Sequence, residues 1–326
     1  MQDMTDVTVI IVSWNTRSLL RDCLRSVVEQ AGELGVEVIV IDNASTDGSV
    51  EMVKADFPQV SVIENSENRG FAAANNQGIA AAKGRYILLL NSDTIVLDKA
   101  IGKAVAFAEG HPEAAVVGCR VLNGDRTLQR TCFMFPSLLN MVLSSTYLYK
   151  LLPRSRFFGR EQMTWWDRDN VREVDVVTGC FMLVRREATE QVGRMDEQFF
   201  VYGEETDWCY RFKKAGWKVL FTPDAQIIHL GGQSSRQVPL EMSLQLRASV
   251  LQFMHKHHGR LKYRAACVLV WLFFAVRVPI WLLRYVVKRT DYSQMRLKTY
   301  LAGMSRLISS GYRGLCARGD GFRRKQ

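Results

Sequence analysis

Through the first third of the chain, short apolar runs bounded by polar residues alternate with stretches of helical spacing. Val7–Ser13 is rich in β-branched residues, and behind it Leu19, Leu20, Cys23, Leu24 and Val27 recur at helical intervals. Val36–Ile41 predicts a second strand, and the turn-rich Asp42-Asn43-Ala44-Ser45-Thr46-Asp47-Gly48-Ser49 after it can cap a helix. Val60–Glu64 predicts a third strand, and Phe71–Ala82 a helix of small residues opened by Asn68-Arg69-Gly70. Tyr86–Leu90 is apolar at every position. Such a run suits the centre of a parallel sheet buried on both faces. Strand and helix alternate, so the fold class is α/β with a mostly parallel sheet covered on both sides.

Beyond Val116–Leu122 the pattern is less regular. Phe133–Leu152 is apolar, interrupted by Pro136 and followed by Arg154, Arg156, Arg160 and Trp165-Trp166. That composition suits a covering helix, an acceptor-binding flap or a membrane-contacting loop. Val174–Val184 predicts a strand broken at Gly179, and Glu204–Ala215 a helix with an acidic first turn. Lys218–Thr222 and Gln226–His229 predict two short strands around Pro223, and a long helix over about 239–258 closes the domain.

The segment Ala265–Val287 is apolar except for Arg277 and Arg284, and Pro279 interrupts it. A bilayer span takes roughly 20 apolar residues, more than the uninterrupted stretch 265–276 supplies. Lys256, Arg260, Lys262 and Arg264 precede the segment, and Lys288 and Arg289 follow it. Positive charge on both flanks lacks the asymmetry of a spanning helix. The expectation is therefore an in-plane or re-entrant helix pair with Trp271 and Trp281 near the headgroups, ahead of a single tilted span or a core helix.

Charge sharpens this division. The net charge is +10 over 326 residues, yet residues 1–246 hold 26 Lys and Arg against 31 Asp and Glu. Residues 247–326 hold 17 against two, Asp291 and Asp320. The excess points to an anionic partner, either an acidic membrane surface or nucleic acid. The expected organisation is a catalytic domain over 1–258 and a basic, apolar membrane-associating region over 259–326. Seven scattered cysteines without a C-x-x-C pair imply reduced thiols. The acidic start Met1-Gln2-Asp3-Met4-Thr5-Asp6 carries no secretory signal, so the catalytic part is expected to stay in the cytoplasm.

Candidate chemistry gathers at predicted strand ends and helix starts. Asp93, in Asn91-Ser92-Asp93 directly after the apolar strand, lies where open α/β sheets bind ligands. A carboxylate there suits a divalent cation carrying a diphosphate, or equally a cap on the next helix. Asp42 fits a turn as well as a ligand contact, Glu204, Glu205 and Asp207 fit a helix dipole, and His229 fits a satisfied core histidine. Together they supply a metal-binding carboxylate, a second carboxylate able to act as base, and an imidazole.

Seven ordered stretches resemble the family 2 glycosyltransferases, in particular the bacterial subgroup that includes rhamnosyltransferases of polysaccharide and cell-wall assembly. They are Val9–Asn15, Val40–Ser49, Asn68–Ala72, Leu90–Asp93, Thr178–Arg186, Phe199–Asp207 and Ile228–Gly232, covering roughly residues 7–235. The resemblance implies a GT-A fold, Rossmann-like and typical of nucleotide-diphospho-sugar transferases, and an inverting transfer. Asp42 matches the position that holds the donor's base, with Ser13 and Asn15 helping and Asn68, Gly70, Asn91 and Ser92 completing the donor site. Asp93 matches the last carboxylate of the D-x-D metal motif, and His229 a further ligand of Mg2+ or Mn2+. Asn91 replaces the first Asp of that motif. Glu205 matches the catalytic base, usually Asp in the family, with Glu204, Asp207 and Gly179 as acceptor-side or supporting residues.

The implied partners are a nucleotide-sugar donor, a glycan or polyprenyl-diphosphate-linked acceptor, and the anionic cytoplasmic face of the inner membrane. Subgroup likeness points to rhamnose from dTDP-rhamnose, with UDP-galactose or UDP-glucose as alternatives. A dinucleotide oxidoreductase is excluded, because no G-x-G-x-x-G turn follows the first or second strand. No nucleic-acid module accompanies the basic tail, so no nucleic acid is expected as partner. A catalytically inert nucleotide-sugar-binding homologue would not need Asp42, Asp93, Glu205 and His229 at once.

Overall fold

The computed structural model of the chain describes residues 5–146, 148–231 and 239–316. Met1–Met4 of the acidic start and Gly232 of the last family-like stretch lie outside them. The described residues form two compact units. One holds 5–135, 166–200 and 204–231, the other 136–165 (147 aside), 201–203 and 239–316.

The first unit opens with four parallel strands, β1 (Val7–Ser13), β2 (Val36–Asp42), β3 (Ser61–Glu64) and β4 (Tyr86–Asn91), ordered β3-β2-β1-β4. The helices α1 (Arg17–Gln30), α2 (Ser49–Asp56) and α3 (Phe71–Ala81) connect them. The residues of β4 are buried from Tyr86 to Leu90, as its unbroken apolar run predicts. Leu20, Cys23, Leu24 and Val27 are the buried stripe of α1. The small residues of α3 follow from its approach to the sheet, where a Cβ on Gly78 would meet Ile10 Cγ2 at 2.6 Å.

Beyond β4 the sheet becomes mixed. Its order continues β4-β11-β6-β12-β5, with β5 (Thr94–Leu97), β6 (Ala114–Leu122), β11 (Phe181–Arg185) and β12 (Lys218–His229). β11 runs antiparallel to both neighbours, β12 parallel to β6, and β5 antiparallel to β12. β7 (Leu128–Gln129) pairs with β6, β9 (Arg172–Glu173) with β12, and β8 (Cys132–Phe133) with β10 (Val176–Val177). α4 (Ala100–Glu109), α7 (Arg186–Val192) and α8 (Glu204–Lys214) complete the unit. The two strands expected around Pro223 are one. A register shift between Thr222 and Gln226 absorbs the proline, as bulges do. The break at Gly179 is real and separates β10 from β11. All seven cysteines are free.

The second unit is helical among the described residues, with α5 (Leu138–Thr146), α6 (Leu148–Leu151), α9 (Pro239–Ala275), α10 (Arg277–Lys288) and α11 (Asp291–Leu315). α9 leaves helical geometry at Gly259 (φ 76°, ψ 169°), and the apolar run lies beyond that kink. Arg277 is not a surface charge. Its guanidinium is buried, donates to Phe273 O at 2.8 Å and Ser145 O at 3.2 Å, and stacks 3.6 Å from the Phe273 ring centroid. On the outer side Leu261, Val268, Leu272, Val276, Ile280, Leu283 and Val287 are exposed, at intervals that form one helical stripe. By length and composition 240–288 is apolar enough to cross a bilayer, and only 22% of its most apolar stretch is buried.

Candidate active site

The carboxyl ends of the central strands coincide. Ser13 pairs with Asp42 across β1 and β2, and Val12 with Asn91 across β1 and β4. Loops that leave parallel strands at one edge bring together residues far apart in sequence.

At the β2 end, Asp42 is buried, and its Oδ2 accepts the Ser45 amide at 2.8 Å. Its Oδ1 is buried with no hydrogen-bond partner among the described residues. Burial pushes the carboxyl above its ordinary range, and the Ser45 hydrogen bonds oppose the shift. A buried acceptor left unmade in this way is costly, and a ligand donor would relieve it. Asn15, in left-handed geometry (φ 52°), clips the first loop to the second. Its amide donates to Ser45 Oγ at 2.9 Å and its Oδ1 accepts from Thr46 N at 2.8 Å.

Asn43 Nδ2 donates to Gly70 O at 3.1 Å and to Asn68 Oδ1 at 3.3 Å, which ties the third loop to the second. Gly70 has φ 82° and ψ 178°, and a Cβ there would lie 2.4 Å from Phe200 O. That same oxygen accepts the Phe71 amide at 2.7 Å, so Gly70 is where α3 meets the stretch before α8.

At the β4 end a chain of hydroxyls runs Ser13 Oγ, Thr16 Oγ1, Ser92 Oγ, with 3.0 Å at each step. Asp93 Oδ1 lies 3.1 Å from His229 Nε2, and Asn91 Nδ2 lies 3.3 Å from the same nitrogen. The pairing of β5 with β12 makes this meeting, because Thr94 sits opposite His229. His229 Nδ1 is 2.6 Å from Gln129 Oε1.

A carboxylate and an imidazole nitrogen make a donor set for a hard divalent ion that takes its remaining ligands from water and substrate phosphate. Two ligands side by side on such an ion, with bonds of about 2.0–2.1 Å, sit about 3 Å apart, and the Asp93–His229 spacing fits. Asn91 turns its amide nitrogen towards His229, so its oxygen would face the same ion only after half a turn of the amide. Among the described residues no cluster of three or more His, Cys, Asp or Glu side chains suits a metal, so a cation here would depend on the substrate.

The acidic pair opens α8. Glu204 is buried and Glu205 half-buried. Asp207 is fully buried and accepts Arg211 Nε at 2.8 Å, while Arg211 also donates to Val192 O and Arg194 O. Asp207 therefore braces α8 and is committed to its cation. Cys180 relates α8 to the β4 turn. Burial above all pushes its thiol up to about 12, and the Asp93 and Glu205 carboxylates both add to the rise. Its carbonyl accepts the Asn91 amide at 3.2 Å. Next to it, a Cβ on Gly179 would come within 3.0 Å of the Phe71 ring, so a larger residue would crowd this corner.

Thr16 and Gln129 join the arrangement without having been foreseen. Thr16 follows Asn15 as a short polar residue at a strand end, which is a usable signal. Gln129 lies in the irregular stretch after β6 and belongs to no motif.

The sequence profile described as "Glycosyl transferase family 2" matches residues 8–193. An N-acetylglucosaminyl-diphospho-decaprenol L-rhamnosyltransferase of Mycobacterium tuberculosis is 27% identical over 78% of this chain and 86% of its own. A low-salt glycan biosynthesis hexosyltransferase of Haloferax volcanii is 23% identical over 84% and 85%. Among solved structures, a mannosyltransferase of Pyrobaculum calidifontis in complex with GDP-Man and Mn2+ superposes with a TM-score of 0.55 at 16% identity, covering 92% of this chain and 86% of that one. That likeness carries the fold, GT-A-like α/β, as the sequence predicts.

Proposed function

Because the chain belongs to glycosyl transferase family 2, we propose that it is an inverting, metal-dependent hexosyltransferase of glycan assembly. It moves a sugar from a nucleotide diphosphate donor to a hydroxyl of a lipid-linked saccharide. Rhamnose from a dTDP donor is the preferred substrate in this reading. The mycobacterial relative, matched over most of both chains, is named for L-rhamnosyl transfer to a decaprenol-diphosphate acceptor.

One observation carries the reading. The under-bonded Asp42 carboxylate and the Asp93–His229 pair lie at the same carboxyl edge of one sheet. Asp42 takes the donor's base, where an N–H of the ring would satisfy Oδ1. The backbone and side chains of Ser13 and Asn15, with Asn68 and Gly70, shape the cleft around it, and Asn91 and Ser92 line the diphosphate side. Asp93 and His229 hold Mg2+ or Mn2+, which when bound supplies charge neutralisation for the departing diphosphate. Glu205 takes the acceptor hydroxyl proton as that oxygen attacks the anomeric carbon from the face opposite the diphosphate. A single displacement inverts the centre and needs no nucleophilic side chain. Glu204, Asp207 and Gly179 hold Glu205 and its corner in place.

The acceptor's lipid has its counterpart in residues 259–326, to which we assign a monotopic seat on the anionic cytoplasmic leaflet. The exposed stripe from Leu261 to Val287 enters the leaflet. Lys256, Arg260, Lys262, Arg264, Lys288 and Arg289 at its two ends meet lipid phosphates. Arg277, midway, is bonded inward to Ser145 O, so the segment embeds one face and keeps its other face on protein.

The test is transfer by purified enzyme with a donor panel, alongside nucleotide-sugar binding. Glu205→Gln should bind donor normally and lose transfer by about 10²–10⁴-fold. Asp93→Ala should lose the metal dependence of donor binding. Near-normal turnover by Glu205→Gln removes Glu205 from the base role, and unchanged metal dependence in Asp93→Ala removes the cation site.

A further inference from the structure

We propose that Gln129 is a positioning residue that fixes the proton of His229 on Nδ1 and thereby keeps the Nε2 lone pair turned towards Asp93 for a divalent cation. The inference rests on the reading of Asp93 and His229 as cation ligands and adds a residue that lies outside every family-like stretch.

Hydrogen bonds of the β6–β7 turn carry the argument, because each constrains the orientation of the next group. The turn starts at Asp125, whose carboxylate can only accept. It takes the Thr127 hydroxyl at 2.6 Å and the Thr127 amide at 3.0 Å, and these bonds hold its carboxyl below the usual range. With its proton committed, Thr127 Oγ1 accepts from Asn123 Nδ2 at 2.9 Å. The Asn123 amide is thus oriented, and its Oδ1 accepts from Gln129 Nε2 at 2.8 Å. The same Nε2 donates to His229 O at 3.2 Å, which leaves Gln129 Oε1 directed at His229 Nδ1, 2.6 Å away.

An amide oxygen only accepts, so Nδ1 carries the hydrogen in that bond. In the neutral ring Nε2 is then bare, and it faces Asp93 Oδ1 at 3.1 Å with Asn91 Nδ2 at 3.3 Å. Metal-bound histidines are commonly held in this way through the other ring nitrogen, and loss of the partner typically weakens metal binding about 10- to 100-fold.

Two ladders deliver Gln129 to this place. It sits opposite Val121 across β6 and β7, and Val121 is opposite Ile227 in β12, two residues before His229. The amide therefore approaches the ring from the β6–β7 hairpin, and Asn123 and His229 O fix its rotation.

The experiment uses the full chain. Long-range 1H–15N spectra of the histidine rings at pH 8.5, without metal, report which His229 nitrogen is protonated. Mn2+ alone is the binding probe, followed by the free-ion EPR signal. The wild type should show a proton on Nδ1. Gln129→Glu keeps an acceptor there but loses the two Nε2 donor bonds, so it should keep the proton on Nδ1 and bind Mn2+ more tightly than Gln129→Leu. Gln129→Leu should move the proton off Nδ1 in part of the population and weaken Mn2+ binding about 10- to 100-fold.

A wild-type spectrum without a proton on Nδ1 overturns the proposal, whatever the variants do. So does Gln129→Leu with wild-type Mn2+ affinity, provided His229→Ala has lost it. If His229→Ala binds Mn2+ as the wild type does, the cation-site reading itself fails and takes this inference with it.

Discussion

Gly70→Ala isolates the physical reason for a glycine at the start of α3. The residue sits at φ 82° and ψ 178°, a region that L side chains scarcely enter and that costs about 1–3 kcal/mol when forced. The added Cβ would also lie 2.4 Å from Phe200 O and 2.7 Å from the nearest Phe200 ring carbon, both inside contact distance. Relief requires the carbonyl to retreat, which gives up its 2.7 Å bond from Phe71 N, worth about 0.5–1.5 kcal/mol net. Repacking the Phe200 ring adds a strain of about 1 kcal/mol. The sum is about 3–5 kcal/mol, a large share of a typical folding free energy.

Urea unfolding followed by tryptophan fluorescence gives the stability loss as a shift in midpoint. Nucleotide binding should weaken too, because Asn43 holds Gly70 O and lies next to Asp42. A double-mutant cycle separates the parts. Phe200→Ala removes the ring but not the carbonyl, so it should recover only the ring's share. A Gly70→Ala midpoint within about 0.5 kcal/mol of the wild type would refute the steric argument.

Asp42→Asn should weaken nucleotide binding about 10- to 100-fold, the worth of one hydrogen bond to a charged group, measured by calorimetry. Its stability effect runs the other way. The folded carboxyl titrates above its unfolded value, so the contribution of Asp42 is most favourable at low pH and is lost as pH rises through the raised value. Urea midpoints of wild type and Asp42→Asn should therefore separate in favour of the variant as pH rises above the ordinary carboxylate range, about 4; parallel profiles would count against a desolvated Asp42. Leu283 and Val287 are 65% and 71% exposed, so Leu283→Glu/Val287→Glu should fold normally. Flotation with anionic vesicles should lose the pair's insertion, about 3 kcal/mol or more, or at least about 100-fold in partition. Unchanged flotation would remove this stripe from the membrane contact.

The elements that formed as predicted are those whose periodicity has one physical cause. Tyr86–Leu90 is apolar because both faces of β4 are covered, and the run of Ala and Gly in α3 is small because the helix rests on Ile10. The elements that differed are set by partners distant in sequence. Thr94–Leu97 is only four residues long and becomes a strand because β12 lies beside it. Lys218–His229 is continuous across Pro223 because β6 pairs with it on both sides of the proline and β5 adds a second partner to its last part, leaving the proline to a bulge. At Pro223 the ladder outweighs local propensity, whereas Thr94–Leu97 has strand propensity and is simply too short for its pattern to show without the partner.

The candidate site divides along the same line, for a chemical reason. A residue proposed to meet a ligand needs a particular functional group at the end of a strand or the start of a helix, so Asp42, Asp93, Glu205 and His229 leave a pattern in the chain. Gln129 meets only other groups of the protein, the Asn123 and His229 side chains and the His229 carbonyl. Its task needs an amide oxygen near Nδ1, and a carboxylate or a carbonyl brought in by any loop would serve as well. Position and residue type are therefore loosely specified, and the chain around 123–129 looks like an ordinary polar turn. The orientation of that amide still determines what Nε2 can do, because an imidazole with its proton on Nε2 has no lone pair left for a cation there. A site of two protein ligands leaves little redundancy. Where a third carboxylate would tolerate a misplaced ring proton, Asn91 does not supply one, so in the proposed site the hold on a cation would depend on a glutamine that coordinates nothing.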